Sequence, residues 1–123
     1  MSRYHRIYIS GPLTPRSPDQ DHVLEYGGNC RQMFRAWAEL IKAGWHPFCP
    51  AADFIFFLVA DGITVRLVKE ISLAWLDASE AIVLLPGWET SPGAKDEFEF
   101  SVRQGKKIFY SLEEATDYMR SRE

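Results

Sequence analysis

The sequence is short of several features that mark particular kinds of protein. It has two cysteines, Cys30 and Cys49, too few for a disulfide framework, and a reducing compartment is the simpler setting. The most apolar stretch, Phe54 to Ala60, runs for seven residues, whereas a helix crossing a bilayer needs about 20. Met1 to Arg6 is charged and leads straight into a strand pattern, with no sign of a secretory leader. A cytoplasmic protein without a membrane segment is therefore expected. Basic residues are few and scattered, with 14 Lys and Arg against 17 Asp and Glu and a formal net charge of −3. No stripe exists to neutralise a row of phosphates, so polymeric nucleic acid is not an expected partner, while a single nucleoside or nucleotide is compatible. His5, His22 and His46 lack metal-ligand spacing and no close cysteine pair completes a site, so no metal or cofactor is expected.

What the chain does have is apolar bulk. Of its 123 residues 46% are apolar and 14% aromatic, enough to bury a substantial core in one compact domain spanning 1–123, with no room for a second. Ile7-Tyr8-Ile9-Ser10, closed by Gly11-Pro12, reads as a first strand. Leu13 to Gly28 is polar and rich in Pro, Asp and Gly, a long loop of the kind that often carries function. Met33, Trp37, Leu40 and Ile41 recur at helical spacing, which predicts a helix from about Asn29 to Gly44. Trp45 to Cys49 follows as a second strand, and Ala51 to Val65 fits a helix only in part.

Farther on, Leu67, Ile71, Ala74, Trp75 and Ala78 mark one face of a helix, and Trp37 and Trp75 read as core. Ala81 to Leu85 is an uninterrupted apolar strand, as in a parallel sheet covered on both faces. Pro86 to Pro92 is a loop, a helix runs on to Gly105, and Lys107 to Tyr110 is a further strand. Ser111 and Glu114 form a capping box that opens the last helix. Strands alternating with helices imply a doubly wound parallel sheet. Ligands of such sheets bind beyond the C-terminal strand ends, where strand order reverses. This brings the loops after Ser10, Cys49 and Leu85 to the expected site.

The segment Ser91-Pro92-Gly93-Ala94-Lys95-Asp96-Glu97 carries the most chemical information. Ser91 suits a helix N-cap and Pro92 a first helical position, and the free N–H groups that follow favour an anion. Glu97 stands about one turn farther along, able to face the same crevice, while Asp96 and Glu99 are expected to point elsewhere. A Ser-Pro-Gly helix start is also simply a good cap, and early helical acids also serve the dipole. Trp88 either stacks on a base or packs against the sheet edge, and Tyr8 is either site residue or strand core. His22 either lines the pocket or is solvated, and Asn29 is a candidate cap.

Together, Tyr8-Ile9-Ser10-Gly11-Pro12-Leu13-Thr14 and the run from Ala81 to Glu97, extended through Gly105-Lys106-Lys107-Ile108, resemble the nucleoside 2-deoxyribosyltransferase-like superfamily. The likeness is strongest to its small phage and bacterial branch, similar to nucleotide N-hydrolases. The resemblance implies a flavodoxin-like α/β domain of four to five parallel strands in order 2-1-3-4, a fifth lying at the edge if present. It implies that Glu97 attacks the anomeric carbon of a sugar to form a covalent glycosyl intermediate, with Tyr8 orienting it. Deoxyribosyltransferases have an aspartate at the position of Ser91, holding a sugar 5′-hydroxyl, and nucleotide N-hydrolases have serine, contacting a 5′-phosphate. An aspartate repels a phosphate that a hydroxyl binds, so Ser91 favours a nucleoside 5′-monophosphate. The expected substrate contacts are Ser10, Gly11, Pro12, Thr14, Arg16, Trp88, Ser91 and Gly93.

Two departures stand against the resemblance. Ser72 occupies a position where relatives carry an aspartate, with Glu70 and Asp77 as the nearest substitutes, and this weakens the general-acid half of the mechanism. Pro12 and Thr14 replace a serine and an arginine, leaving Arg16 to supply the charge. The expected function is hydrolysis of the N-glycosidic bond of a (deoxy)nucleoside 5′-monophosphate. Base exchange between deoxynucleosides and a non-catalytic nucleotide binder are its rivals. Relatives assemble as homodimers or larger homo-oligomers, and the aromatics of Phe54 to Phe57 suit such an interface.

Overall fold

A computed structural model describes residues 4–13, 22–52 and 61–122. Strand β1 (Arg6–Ser10) leads to helix α1 (His22–Ala43), strand β2 (His46–Phe48), helix α2 (Val65–Ala78) and strand β3 (Ala81–Leu84). A 3₁₀ turn (Trp88–Thr90), helix α3 (Pro92–Arg103), strand β4 (Lys107–Phe109) and helix α4 (Leu112–Arg120) follow among the described residues. All pairings are parallel and the order is β2-β1-β3-β4, the flavodoxin-like arrangement.

Alternation along β1 explains the two layers. Ile7 and Ile9 face α1 and α4, joining a cluster with Met33, Leu40, Trp45, Val83 and Phe109. Tyr8, with Ile82 and Leu84 of β3, faces α2 and α3, where Leu76 and Phe98 close over it. Ile82, Val83 and Leu84 are fully buried, as a central parallel strand requires. Trp45 fills the α1/α4 layer and donates its indole N–H to the Ala115 carbonyl across 2.9 Å.

Helix α1 starts at His22, seven residues before the expected start at Asn29, so its first turns replace part of the expected loop. Gly27 and Gly28 suggested a loop, but both lie exposed within the helix. Each glycine costs about 1 kcal/mol in a helix interior. Burial of Cys30 and Met33 on the sheet side offsets that cost. Asn29 is no cap; its side-chain amide donates to the Leu13 carbonyl at 3.3 Å and ties the segment after β1 to α1.

The expected buried face of α2 is turned outward. Leu67, Ile71 and Trp75 are 43, 47 and 50% exposed, while Val68, Ser72 and Leu76 pack inward. The helix is apolar on both sides, and periodicity alone finds a stripe without saying which stripe meets the sheet. Trp75 is thus a half-exposed residue stacked on Phe48 at 5.7 Å. Trp37 is partly buried against the α1/α4 core, in keeping with its reading as core.

The ends of the elements follow their caps. Ser111 accepts from Glu114 N at 3.1 Å, but the Glu114 carboxylate accepts from Tyr110 N at 2.8 Å, so the reciprocal arm of the box is displaced by one residue. No helix among the described residues is long and apolar enough to cross a membrane. The stretch Ala51 to Val65, including the aromatics of Phe54 to Phe57, falls largely outside the described residues.

Candidate active site

Tyr8 and Ser10 are two positions apart on β1, so both side chains leave the same face of the sheet. That face is the one α3 covers. Ser91 caps α3, its Oγ accepting from Ala94 N at 3.3 Å, and Pro92 occupies the first turn, where its missing N–H costs nothing. Glu97 then projects from the second turn back toward β1. Tyr8 Oη donates to Glu97 Oε2 at 2.6 Å and Ser10 Oγ donates to Glu97 Oε1 at 2.6 Å. Both lengths fall in the range of hydroxyl-to-carboxylate bonds. Ser101 Oγ donates to the Glu97 carbonyl at 2.8 Å and so bonds the helix backbone at the same residue.

Each carboxylate oxygen accepts one hydroxyl and keeps a lone-pair site for another partner. Burial pushes the Glu97 carboxyl above the ordinary carboxylate range. The Ser10 and Tyr8 hydrogen bonds and Lys69 pull in the opposite direction, and Asp96 adds to the upward push. The outcome is a crowded carboxylate held in one orientation, a pattern typical of functional sites.

Glu97 lines a cavity of about 530 Å³, within the size range of small-molecule sites. Tyr8 and Gly11 contribute from β1 and its exit, Ser91 and Gly93 from the start of α3, and Lys69 and Ser72 from α2. Ser91 spends an oxygen lone pair on Ala94 N, which leaves its hydroxyl proton free to donate into the cavity.

The expected site residues divide accordingly. Glu97, Tyr8, Gly11, Ser91 and Gly93 meet at this cavity. Tyr8 is fully buried core and also bonds Glu97. Ser10, expected among the substrate contacts, is fully buried and gives its hydroxyl to Glu97 instead. Pro12 packs against the Gly87 turn, where a Cβ on Gly87 would meet Pro12 Cγ at 3.1 Å. Gly11 is small for a packing reason as well, because a Cβ there would stand 3.0 Å from Leu85 Cβ. Trp88 stands apart from Glu97. It packs on Phe98 at 4.9 Å and lines a separate groove of about 620 Å³ beyond β3 and β4, which shares no described residue with the Glu97 cavity. Glu97 lies in the smaller of the two. Thr14 and Arg16, and the side chain of His22, fall outside the described residues.

Sequence reasoning missed Lys69 and Leu13, among other lining residues, and misjudged Asp96. Asp96 lines the cavity, against the expectation that it points away. Lys69 and Leu13 also line it. Lys69 was findable, because it stands one turn before Ser72 on the same helix face. The suggested substitutes for the missing aspartate do not reach the site. Glu70 pairs with Arg66 at 3.4 Å on the surface, and Asp77 is exposed and does not line the cavity. Among the described residues, no three metal-binding side chains come together.

A search of curated proteins finds no match to the chain. A family model described as a domain of unknown function, DUF4406, matches residues 5–110, a span that takes in β1, the α3 helix start and Glu97. The chain belongs to the DUF4406 family.

Proposed function

We propose that the protein hydrolyses the N-glycosidic bond of a (deoxy)nucleoside 5′-monophosphate through a glycosyl–Glu97 intermediate. The observation that carries this reading is the Glu97 carboxylate, held at both oxygens by Tyr8 and Ser10 on the wall of a cavity that also contains a helix start. A Glu97 oxygen bonds to C1′ as the C1′–N bond breaks and the base departs with the electron pair. Water then attacks C1′, releasing the sugar 5-phosphate with overall retention and restoring the carboxylate. The first-turn N–H groups of α3 and the donor hydroxyl of Ser91 suit the 5′-phosphate. The earlier likeness of Tyr8–Thr14 and Ala81–Glu97 to nucleoside 2-deoxyribosyltransferase-like proteins supports the same chemistry.

The test is chromatography of nucleotides and nucleosides incubated with the wild-type protein and with Glu97→Ala. Free base from the wild type alone supports the reading; release that survives the substitution removes Glu97 from the mechanism. Product only in the presence of a second free base indicates a transferase, and ligand-induced stabilisation without base release indicates a binder. We also propose a homo-oligomer, in which the exposed Leu67, Ile71 and Trp75 of α2 provide apolar surface for self-association.

A further inference from the structure

The proposed reaction leaves a developing negative charge on the base nitrogen as the C1′–N bond breaks. Helix α2 supplies two groups suited to that end of the substrate. Lys69 and Ser72, one turn apart, both line the Glu97 cavity, and Lys69 is the one cation among its described lining residues. They differ in depth. Lys69 is exposed at the rim, Ser72 is 6% exposed, and Leu76, the next turn along the same face, is fully buried in the core. Ser72 Oγ has no hydrogen-bond partner among the described residues. Buried hydroxyls in folded proteins are nearly always bonded. One left open on a cavity wall is a group waiting for a ligand atom. Lys69 also carries a positive charge that favours the ionised form of the Glu97 carboxylate, which lines the same cavity.

We infer that Lys69 and Ser72 form the leaving-group half of the site, Ser72 hydrogen-bonding the base and Lys69 stabilising and protonating its departing nitrogen. The inference rests on the glycosidic reading above. In the first half-reaction Glu97 bonds to C1′, the C1′–N electron pair stays on the base, and a proton passes from Lys69 Nζ to that nitrogen. In the second, water adds to C1′, the ester bond to Glu97 breaks, and the water's proton returns to the neutral Lys69 amine. The sum is substrate plus water giving free base and sugar phosphate, with both residues restored. Neither Glu97, engaged as nucleophile, nor Asp96, an exposed carboxylate, adds positive charge at the leaving group.

The test compares wild type, Lys69→Met and Ser72→Ala on three probes. They are natural deoxynucleoside 5′-monophosphates, the matching nucleosides, and 4-nitrophenyl 2-deoxyriboside 5-phosphate, whose phenolate leaves without a proton. Lys69→Met is expected to lose about 10²-fold or more in kcat on natural bases, the usual scale of acid catalysis. On the nitrophenyl probe its loss is expected to fall within a few-fold of wild type. Ser72→Ala is expected to lose about tenfold in kcat/KM on natural bases, with an unchanged melting temperature. Equal Lys69→Met losses on natural and nitrophenyl substrates overturn the inference. A loss confined to KM that vanishes with dephosphorylated substrates also overturns it and makes Lys69 a phosphate ligand. A wild type that cleaves none of the probes overturns the glycosidic reading itself, an outcome distinct from both.

Discussion

Tyr8 and Glu97 lie 89 positions apart in sequence, yet the Tyr8 hydroxyl donates to Glu97 Oε2 at 2.6 Å. The strand fixes the phenol rigidly, because Tyr8 is fully buried and stacks on Phe48 at 5.6 Å. Tyr8→Phe removes the hydroxyl while keeping that packing. A hydrogen bond to a charged group is worth about 1.5–3 kcal/mol, so kcat is expected to fall by roughly 10- to 100-fold with the fold intact by circular dichroism. The same change deletes a contact that favours the ionised carboxylate. The acidic limb of the rate profile should therefore move to higher pH, and an unmoved limb counts against Tyr8 acting through Glu97.

As the proposed nucleophile, Glu97 must be ionised to attack. Since burial holds Glu97 above its ordinary value of 4.5, activity is expected to be lost on acidification at a pH above that value. The stability effect has the opposite sense. A folded pKa above the unfolded one means the folded protein binds this proton more tightly, and that contribution is complete at low pH and lost as pH rises through the folded value. Glu97→Gln should thus abolish base release yet raise the melting temperature by a few degrees at pH 7. The gain should disappear below pH 4.5. A melting temperature lowered at pH 7 would show that the two hydroxyl bonds outweigh desolvation.

Ser91 combines a cap with a donor facing the cavity. Ser91→Asp keeps the cap, since aspartate is an equally good N-cap, but sets a carboxylate where a phosphate would bind. The expected result is a rise of tenfold or more in KM for nucleoside monophosphates, with little change for nucleosides and a preserved melting temperature. Equal effects on both substrate classes would place the phosphate elsewhere.

Gly87 has φ +91° and a Cβ there would stand 3.1 Å from Pro12 Cγ. A side chain at this position meets both backbone strain and the turn that follows β1. Gly87→Ala is expected to cost about 1–2 kcal/mol from the left-handed conformation alone, read by denaturant unfolding. It should also weaken activity, because Pro12 adjoins Gly11 on the cavity wall. Loss of stability without any change in KM or kcat would separate the turn from the site.

The outward stripe of α2 bears on assembly. Ile71→Glu sets a charge at its centre, where the native residue is 47% exposed. Light scattering is expected to find an oligomer for the wild type and a smaller species for the variant. A monomeric wild type would dismiss the stripe as an interface.

Local pattern in the sequence was sufficient for the sheet and its layers. The apolar run at Ala81–Leu85, the β-rich Ile7–Ser10 and the caps at Ser91 and Ser111 are short-range signals, and each is realised within a residue or two. Glu97 was legible from its place after a helix start, together with the resemblance, but composition alone gave it no precedence over its neighbours Asp96 and Glu99. The start of α1 was misread because two exposed glycines weigh locally as loop, whereas burial of Cys30 and Met33 acts through the sheet.

Packing decided the rest. Whether α2 buries Leu67, Ile71 and Trp75 or Val68, Ser72 and Leu76 depends on which stripe the sheet surface accepts, and no period of 3.6 residues contains that choice. Ser10 became a partner of Glu97, and Trp88 a packing residue on Phe98, through contacts across 87 and 10 positions. Such contacts exist only once β1, the 3₁₀ turn and α3 meet at the end of one sheet. Chain order specified the elements, and three-dimensional juxtaposition specified which side chains share a cavity, because burial and hydrogen bonding act between neighbours in space.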